Sequence, residues 1–201
     1  MIKRELYLKK IRDLYDNELI KVIMGIRRCG KSVLLGQIIE EIKERGIKED
    51  HIVYINFEDY DFIEYTEAKK FNEYIKSKIK DKNKYYLFLD EIQNVQDFER
   101  VINSFRATMN VSIFITGSNS KLLSGELATV LTGRFVSIKM MPFTYSEYLE
   151  LKKEKNERIT DKALEEFIEW GGMPLIYNTD NDMERKMYLR DLYNTAILKD
   201  I

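Results

Sequence analysis

Residues 22–35, VIMGIRRCGKSVLL, restrict the fold more than any other part of this sequence. An apolar run leads into a glycine-bounded turn that carries two arginines and a lysine, and a second apolar run follows. The stretch from Gly25 to Ser32 fits the pattern G-x-x-x-x-G-K-[ST] at every fixed position. Such glycines let successive backbone N–H groups point into one concavity, and the next helix adds its N-terminal partial positive charge. The stretch therefore predicts a strand, an anion-binding loop and a helix in direct succession.

The polar side chains at the end of this stretch suggest what the loop binds. Lys31 can reach the β- and γ-phosphates of a nucleotide, and the Ser32 hydroxyl can ligate Mg²⁺. The alternative is an ordinary glycine-rich turn between a strand and a helix. Because the stretch follows a predicted strand and opens a predicted helix, as phosphate binding requires, we favour the nucleotide-binding loop.

The variable positions of the loop are held by Arg27, Arg28 and Cys29. Loop arginines are more often solvated than bound to phosphate, so neither arginine side chain is given a role, and Cys29 is expected to be a small filler residue. Arg28 and Cys29 belong to the predicted site as parts of the loop itself. The predicted nucleotide-binding positions of this stretch are Gly25, Arg28, Cys29, Gly30, Lys31, Ser32 and Val33.

Strand-like runs alternate with segments of helical period over the first two thirds of the sequence. Buried strands that alternate with amphipathic helices indicate an α/β fold with a parallel sheet covered on both faces. The strand-like runs are residues 20–24, 51–57, 85–90, 111–117 and 134–140. The helical segments between them are residues 31–46, 67–80, 95–109 and 119–131.

The last quarter of the sequence has a different character. From residue 145 onward every segment has helical period, and nothing after Pro142 resembles a strand. We therefore expect an α/β core at residues 1–141 and a small all-helical lid at residues 142–201. The helical segments of the predicted lid are residues 146–155, 160–170 and 182–200.

An acidic pair, Asp90 and Glu91, follows the apolar run that begins at residue 85. Adjacent side chains of a strand point to opposite faces, so the two carboxylates are not expected to share one role. Asp90 is predicted to hold Mg²⁺ together with Ser32, and Glu91 to orient and deprotonate an attacking water. A solvated strand end is the alternative, but five apolar or aromatic residues before the pair indicate a buried central strand.

Two further positions are candidates whose alternatives stay open. Ser118 or Asn119, at the tip of the fourth strand-like run, could reach the γ-phosphate or the water, and a helix N-cap is the competing interpretation. Arg134 could act as a finger on the transferred phosphoryl group in a neighbouring subunit's site. The competing interpretation is a surface arginine after the helix-ending Gly133.

With these elements in order, the sequence resembles the AAA+ ATPases of the ASCE branch. More narrowly, it is similar to prokaryotic and archaeal AAA-domain proteins that carry a C-terminal domain of unknown function. The resemblance spans nearly the whole chain and is carried by VIMGIRRCGKS, YINFED, LFLDEIQN, ITGSNSKLL, TGRFVSI with PFTYSEYL, and WGGMP. The C-terminal domain of that family is expected to be absent from these 201 residues.

The resemblance implies a P-loop three-layer sandwich with a parallel five-stranded sheet in the order 5-1-4-3-2, followed by the helical lid. It places a Walker A motif at the glycine-rich loop and a Walker B motif at the acidic pair, which makes Ser32 and Asp90 the metal site. The catalytic residues that it implies are Lys31, Glu91, Asn119 and Arg134.

The segment from Gly172 to Leu175 is similar to the G-x-P motif in the lids of STAND-type ATPases, which implies that Pro174 packs on adenine. A plain hinge is the alternative, because a helix stop followed by a new helix start uses the same Gly and Pro chemistry. No lid arginine is assigned as a nucleotide sensor, although Arg185 and Arg190 are available.

Composition excludes several other classes of site. With Cys29 as the single cysteine and His51 as the single histidine, neither an intrachain disulfide nor a Cys/His zinc cluster is expected. The 33 basic and 34 acidic residues nearly cancel, so no global field recruits nucleic acid or a membrane. No apolar stretch approaches the roughly 18 residues of a membrane span. The cytoplasm is the expected compartment.

These features together predict a Mg²⁺-dependent ATPase that binds ATP and ADP and acts as a nucleotide-driven switch, slow without a partner. A nucleotide-gated module that holds a protein or DNA with negligible turnover is the alternative. A GTPase or a small-molecule kinase fits the acidic motif less well. An unknown protein partner or self-association is expected, whereas only a charged run at residues 149–158 suggests nucleic acid.

Overall fold

A computed structural model describes residues 2–117 and 130–200, with side chains up to residue 195. Its centre is a five-stranded sheet in which all neighbouring strands are parallel, in the order β2-β3-β4-β1-β5. This is the predicted order 5-1-4-3-2, read from the other edge. The bounds, each within one residue of the prediction, are β1 (Ile20–Gly25), β2 (Ile52–Asn56), β3 (Tyr85–Asp90), β4 (Val111–Gly117) and β5 (Phe135–Met140).

Helices cover both faces of the sheet and make up the C-terminal part of the chain. The predicted helix at residues 119–131 lies almost entirely outside the described residues. Over the part of the chain that is described, no helix has the length and apolar character needed to cross a membrane. The α-helices are α1 (Glu5–Ile11), α2 (Lys31–Glu44), α3 (Ala68–Lys78), α4 (Phe98–Thr108), α5 (Tyr145–Glu154), α6 (Ala163–Trp170) and α7 (Asp182–Asp200). Short 3-10 helices occupy Arg12–Leu14, Glu49–His51, Tyr60–Thr66, Ile92–Asn94 and Pro174–Asn178.

The central strands β1, β3 and β4 are buried along their whole length, as expected for a parallel sheet between two helical layers. Alternate side chains of each strand pack on opposite faces. In β1, Val22 belongs to the cluster shared with α3 and α4, whereas Ile23 belongs to the cluster shared with α1 and α2. Helices therefore cover both faces, and the crevice outside the carboxyl ends of the strands is where such sheets bind ligands.

Helix α1 is a structural element that the sequence interpretation missed. Its side chains Tyr7, Leu8 and Ile11, together with Tyr15 beyond it, are buried against α2 and the sheet. Spacings of three and four residues are a helical signal, but charged residues fill the positions between them. The N-terminal segment is therefore an integral part of the core.

The C-terminal helices form small hydrophobic clusters of their own. Tyr148 of α5 packs with Ala163 of α6 and with Tyr177. Trp170 and Ile176 form a second cluster, against which side chains of α7 pack. Separate clusters are compatible with a core and a lid divided near residue 142, and that division stays a prediction.

Candidate functional site

The glycine-rich loop joins β1 to α2 at the carboxyl edge of the sheet. A Cβ atom on Gly25 would lie 2.5 Å from the carbonyl oxygen of Met140, which is too close for any side chain. Gly30, the residue before α2, has a φ of 101° in the left-handed region that glycine adopts without strain. Arg28 is also left-handed, with a φ of 65°. The predicted strand, turn and helix are all present, and the helix N-terminus faces the loop.

Lys31 lies almost fully buried beneath the loop, with 4% of its side chain exposed. Its Nζ atom donates to the carbonyl oxygens of Gly25 at 3.3 Å and of Ile26 at 3.4 Å. The same atom is 3.4 Å from Oε1 of Glu91. The loop lysine and the second acidic residue of the predicted pair are therefore direct neighbours, although they are 60 residues apart in sequence.

The two carboxylates of the acidic pair lie in different environments, because β3 ends at Asp90 and Glu91 follows it in a turn. Asp90 is fully buried, and its carboxylate accepts hydrogen bonds from the hydroxyls of Thr116 and Tyr54. Burial, and next the Asp90 carboxylate, raise the pKa of Tyr54, so that its hydroxyl stays protonated and can donate. Glu91 has a left-handed backbone, with a φ of 53°, and Gln93 donates to its Oε2 atom at 2.5 Å.

Thr116 of β4 connects the two carboxylate residues. Its hydroxyl donates to Oδ1 of Asp90 and accepts a hydrogen bond from the backbone N–H of Glu91 at 2.9 Å. The sequence predicts a polar group just beyond this strand, at Ser118 or Asn119, and Thr116 is not among the predicted site residues. The available signal was a polar residue near the carboxyl end of the run VSIFITG, whose only other polar side chain is Ser112.

A cavity of about 690 Å³ opens between the loop and the C-terminal helices. Helix α7 contributes one wall, and the guanidinium of Arg28 lies 5.7 Å from the ring centroid of Tyr188 on that helix. The lining residues include predicted site positions from both parts of the chain. They are Arg27, Arg28, Gly30, Lys31, Ser32, Val33, Glu58, Glu91, Pro174, Leu175, Tyr188, Asp191, Leu192 and Thr195.

Some predicted positions contribute to the site from behind the cavity wall. Cys29 is fully buried, its thiol donates toward the carbonyl of Met140, and burial raises the pKa of that thiol. It is a packing residue, as expected, and its backbone carbonyl accepts a hydrogen bond from Arg4 at 3.0 Å. Gly25 shapes the loop, and Asp90 supports the wall that Glu91 forms.

The remaining candidates lie elsewhere or outside the described residues. Arg134 precedes β5, and the first residue of that strand, Phe135, pairs with Ile20 at the start of β1. Because the strands are parallel, Arg134 lies at the edge of the sheet opposite the loop, where it donates to the side chain of Asn103. It therefore does not reach the phosphate site of its own chain. Asn119 and Ser118 lie outside the described residues.

The arginines of helix α7 stay unassigned. Arg185 is buried against the ring of Trp170 and donates to the carbonyl of Thr179, away from the cavity. The exposed Arg190 pairs with its neighbour Asp191. Neither arginine lines the cavity. The α7 wall, built from Tyr188, Asp191, Leu192 and Thr195, was not predicted, because the segment of helix α7 gives little indication of which face turns inward.

Comparison with known proteins agrees with this geometry. A family model described as an AAA domain matches residues 17–149. An uncharacterized protein of Haemophilus influenzae is 38% identical over 203 residues, covering 100% of this chain and 50% of that protein. An uncharacterized protein of Methanocaldococcus jannaschii is 37% identical over 190 residues, covering 90% of this chain and 42% of that protein. The chain therefore spans about half the length of these curated relatives or less.

Solved structures extend the comparison at the level of the fold. The structure of AMPPCP-bound DnaA from Aquifex aeolicus superimposes with a TM-score of 0.57 at 17% sequence identity. The match covers 97% of this chain and 60% of that one. At this level of identity the likeness shows a shared fold alone.

Proposed function

Because the chain belongs to the AAA-domain family, a family of nucleotide-binding domains, we propose that it is a Mg²⁺-dependent ATPase whose nucleotide moves the C-terminal helices relative to the sheet. One observation carries the proposal. Lys31, Ser32 and Glu91 line a single cavity, and helix α7 lines the same cavity from the other side. A cation for phosphates, a hydroxyl for a metal ion and a carboxylate for a water would thus face one bound nucleotide.

The contact between Lys31 and Glu91 supports a link between binding and hydrolysis. The Lys31 amine and the Glu91 carboxylate are 3.4 Å apart, so each balances the charge of the other within the site. The phosphates of ATP would compete for Lys31, and Glu91 would then be left to accept a proton from the water that attacks the γ-phosphate. The hydrogen bond from Gln93 would hold the Glu91 carboxylate in place during this exchange.

The residues at the loop fit a magnesium ion that keeps several of its waters. Within the described ranges, no group of three or more His, Cys, Asp or Glu side chains could enclose a metal ion. Mg²⁺ in nucleotide sites needs fewer protein ligands, because substrate phosphates and waters supply the rest. Ser32 would contribute its hydroxyl, and Asp90, which accepts from Thr116 and Tyr54, has lone pairs left for a metal-bound water. The ion would neutralise charge that develops on the phosphates.

The far side of the cavity suits a nucleobase. Pro174, Leu175 and Leu192 offer apolar surface, and Tyr188 offers an aromatic ring. These groups support the assignment of Pro174 to an adenine-binding wall. The sequence contains no N-K-x-D stretch of the kind that reads guanine. We therefore expect adenine nucleotides to bind more tightly than guanine nucleotides.

A ligand in this cavity would contact both the glycine-rich loop and the C-terminal helices. The segments proposed to join these two parts of the chain lie next to each other. The connection after β5 begins with Met141 and Pro142, and the backbone N–H of Phe143 donates to the carbonyl of Gly172 at 2.7 Å. The two segments proposed as hinges, one around Pro142 and one at Gly171 and Gly172, are thus hydrogen-bonded neighbours. Nucleotide exchange or hydrolysis would shift the helical lid, residues 142–201, against the core, residues 1–141.

The proposal is tested first by nucleotide binding. Calorimetry with ATP, ADP and GTP in the presence of Mg²⁺ should give adenine-selective binding to the wild type. Lys31→Ala should weaken ATP binding by about 10- to 100-fold, because a charge-assisted contact is lost. Wild-type protein that binds no nucleotide would refute the proposal.

Steady-state phosphate release separates the ATPase from a nucleotide-gated binding module. Glu91→Gln should abolish measurable turnover and leave ATP binding intact, since general-base catalysis contributes about 10²- to 10⁴-fold. Glu58→Gln is the matched control, because Glu58 lines the same cavity but pairs with Arg27 at the rim. Negligible turnover in the wild type would favour the binding module that holds a protein or DNA partner. Equal, measurable turnover in the wild type and Glu91→Gln would contradict the catalytic role assigned to Glu91.

A further inference from the structure

Arg4 is a buried arginine that joins its own N-terminal segment to two other parts of the chain. Only 2% of its side chain is exposed. Charged side chains are rarely buried to this extent unless they are paired. Nε donates to Oε1 of Glu147 at 2.8 Å, Nη1 donates to the carbonyl of Cys29 at 3.0 Å, and Nη2 donates to the carbonyl of Met141 at 2.8 Å. One guanidinium therefore connects the N-terminal segment to the glycine-rich loop and to the start of the C-terminal helices.

The bond to Cys29 fixes the orientation of a peptide group in the loop. In a planar trans peptide, the carbonyl oxygen and the following N–H point in opposite directions. Because Arg4 holds the Cys29 carbonyl on its own side, the N–H of Gly30 points away from Arg4. An N–H group set in this way is a donor for a phosphate oxygen in the loop concavity, and it needs no reorganisation when the ligand arrives.

The other two bonds fix the connection between β5 and α5. Glu147, which accepts from Arg4, also accepts from the backbone N–H of Thr144 at 2.8 Å, and the Thr144 hydroxyl caps α5 in return. The ring of Phe143 lies under the guanidinium, 5.1 Å from its central carbon. A movement of α5 would therefore displace the guanidinium that orients the loop peptide.

We propose that Arg4 is a positioning residue that couples the phosphate-binding loop to the C-terminal helices. The proposal rests on the proposed function for its nucleotide readout. Arg4 acts through the Cys29 peptide and the Glu147 carboxylate and touches no substrate. A lysine cannot replace it, because only the planar fork of an arginine presents donors to three acceptors in fixed directions.

The first experiment uses Arg4→Lys and, as its matched control, Arg12→Lys. Arg12 lies on the same N-terminal segment and pairs with Glu5 and Glu41, without contact to the loop. Arg4→Lys should weaken ATP binding about tenfold and leave adenosine binding unchanged, because the loop binds only phosphates. ATP should also no longer change the fluorescence of Trp170, the single tryptophan, which is buried among the C-terminal helices.

The control variant separates coupling from stability. Arg12→Lys should retain the affinity for ATP and the Trp170 response even where it lowers the melting temperature as much as Arg4→Lys does. Wild-type affinity and a wild-type Trp170 response in Arg4→Lys would overturn the proposal. Failure of the wild type itself to bind ATP would refute the proposed function, and Arg4 would then be judged by the second experiment.

The second experiment needs no nucleotide. Glu147→Gln weakens the lid side of the contact, and the amide resonance of Gly30, on the loop side, is followed by NMR. A shifted Gly30 resonance supports coupling between two residues that are 117 residues apart in sequence. Glu157→Gln, which removes the carboxylate from an ion pair with Lys152 among the C-terminal helices, is the matched control and should leave Gly30 unshifted. An unshifted Gly30 resonance in Glu147→Gln would contradict the proposal.

Discussion

Two buried lysines lie near the two ends of β1, and only one of them belongs to a site. Lys21, near the start of the strand, is fully buried, and Lys31, just beyond its end, is 4% exposed. Lys21 donates to the hydroxyl of Ser112 at 2.7 Å and lies 4.7 Å from the ring centroid of Phe114. Lys31 instead has the carboxylate of Glu91 at 3.4 Å and lines a cavity.

The difference teaches that burial of a charge does not by itself mark a functional position. At the amino edge of the sheet, the groups in direct contact with the Lys21 amine are neutral acceptors and an aromatic ring. Burial, and next the charge of Lys84, lower the pKa of Lys21 to about 7, while Asp16 acts in the opposite direction. At the carboxyl edge, Lys31 meets an opposite charge that a phosphate can replace. A replaceable partner and an open cavity distinguish the site.

The largest predicted effect concerns Lys21 and the pH dependence of stability. An unfolded chain binds a proton at this lysine up to about pH 10.5, whereas the folded protein releases it near pH 7. Between these values the unfolded state holds more protons, so the free energy of unfolding should rise with pH, by up to about 5 kcal/mol. Below pH 7 both states are protonated and the full penalty remains. Urea unfolding at pH 7 and pH 9 measures the slope.

Lys21→Met supplies the control for this slope. The variant removes the buried charge, so it should be more stable than the wild type at pH 7 and should lose most of the pH dependence between pH 7 and pH 9. Its affinity for ATP should equal that of the wild type, in contrast to Lys31→Ala. A Lys21→Met protein with the same slope as the wild type would show that the buried amine does not titrate in this range.

A smaller effect is predicted for Thr116, which holds the acidic residues of the carboxyl edge. Thr116→Val keeps the shape of the side chain but removes the donor to Asp90 and the acceptor for the N–H of Glu91. Loss of a partner for these buried groups should lower the free energy of unfolding by about 1–3 kcal/mol. Turnover should fall as well, because Glu91 loses a backbone anchor. Urea unfolding and phosphate release measure the two effects.

Thr116→Ser keeps the hydroxyl and is the matched control for that prediction. It should retain most of the turnover, whereas stability falls only by the contribution of the lost methyl group. Equal turnover in Thr116→Val and the wild type would show that the carboxylates keep their positions without this hydroxyl. The comparison between the two edges would then rest on Lys31 and Glu91 alone.

Much of the fold follows from the sequence because local and tertiary signals agree. The sequence runs of the central strands β3 and β4 are mostly apolar on both faces, as a doubly covered parallel sheet requires, and their bounds match the prediction at both ends. The loop was equally accessible to prediction, because G-x-x-x-x-G-K-[ST] fixes backbone and side-chain roles together. Helix α1 was missed, since charged residues obscure its apolar spacing.

The site was predictable only where one segment supplies a complete function. Lys31, Ser32 and Glu91 lie within short motifs, whereas Arg4 acts through Cys29, Met141 and Glu147, which no local pattern connects. Such a contact depends on three chain segments meeting at one point, and only the packed structure brings them together. The roles of Asp90 in metal binding and of Pro174 in adenine binding stay predictions until a nucleotide is bound.

The smallest predicted effect concerns Arg134, which tests whether the amino edge of the sheet has a role in a second subunit. Within its own chain, Arg134 donates to Asn103 and to the carbonyl of Val130, at the edge opposite the loop. Arg134→Ala should therefore change the affinity for ATP less than about twofold, which calorimetry at low protein concentration can measure.

A trans role would appear only in turnover and only when chains associate. If Arg134 reaches a neighbouring site, phosphate release per wild-type chain should rise with protein concentration, and Arg134→Ala should remove that rise. Arg106→Ala is the matched control, because Arg106, which belongs to α4, also lies near the amino edge and pairs with Glu18. Turnover that is independent of concentration in all three proteins would make Arg134 a surface residue. In that case only the carboxyl edge of the sheet contributes residues to the site, both within one chain and between chains in solution.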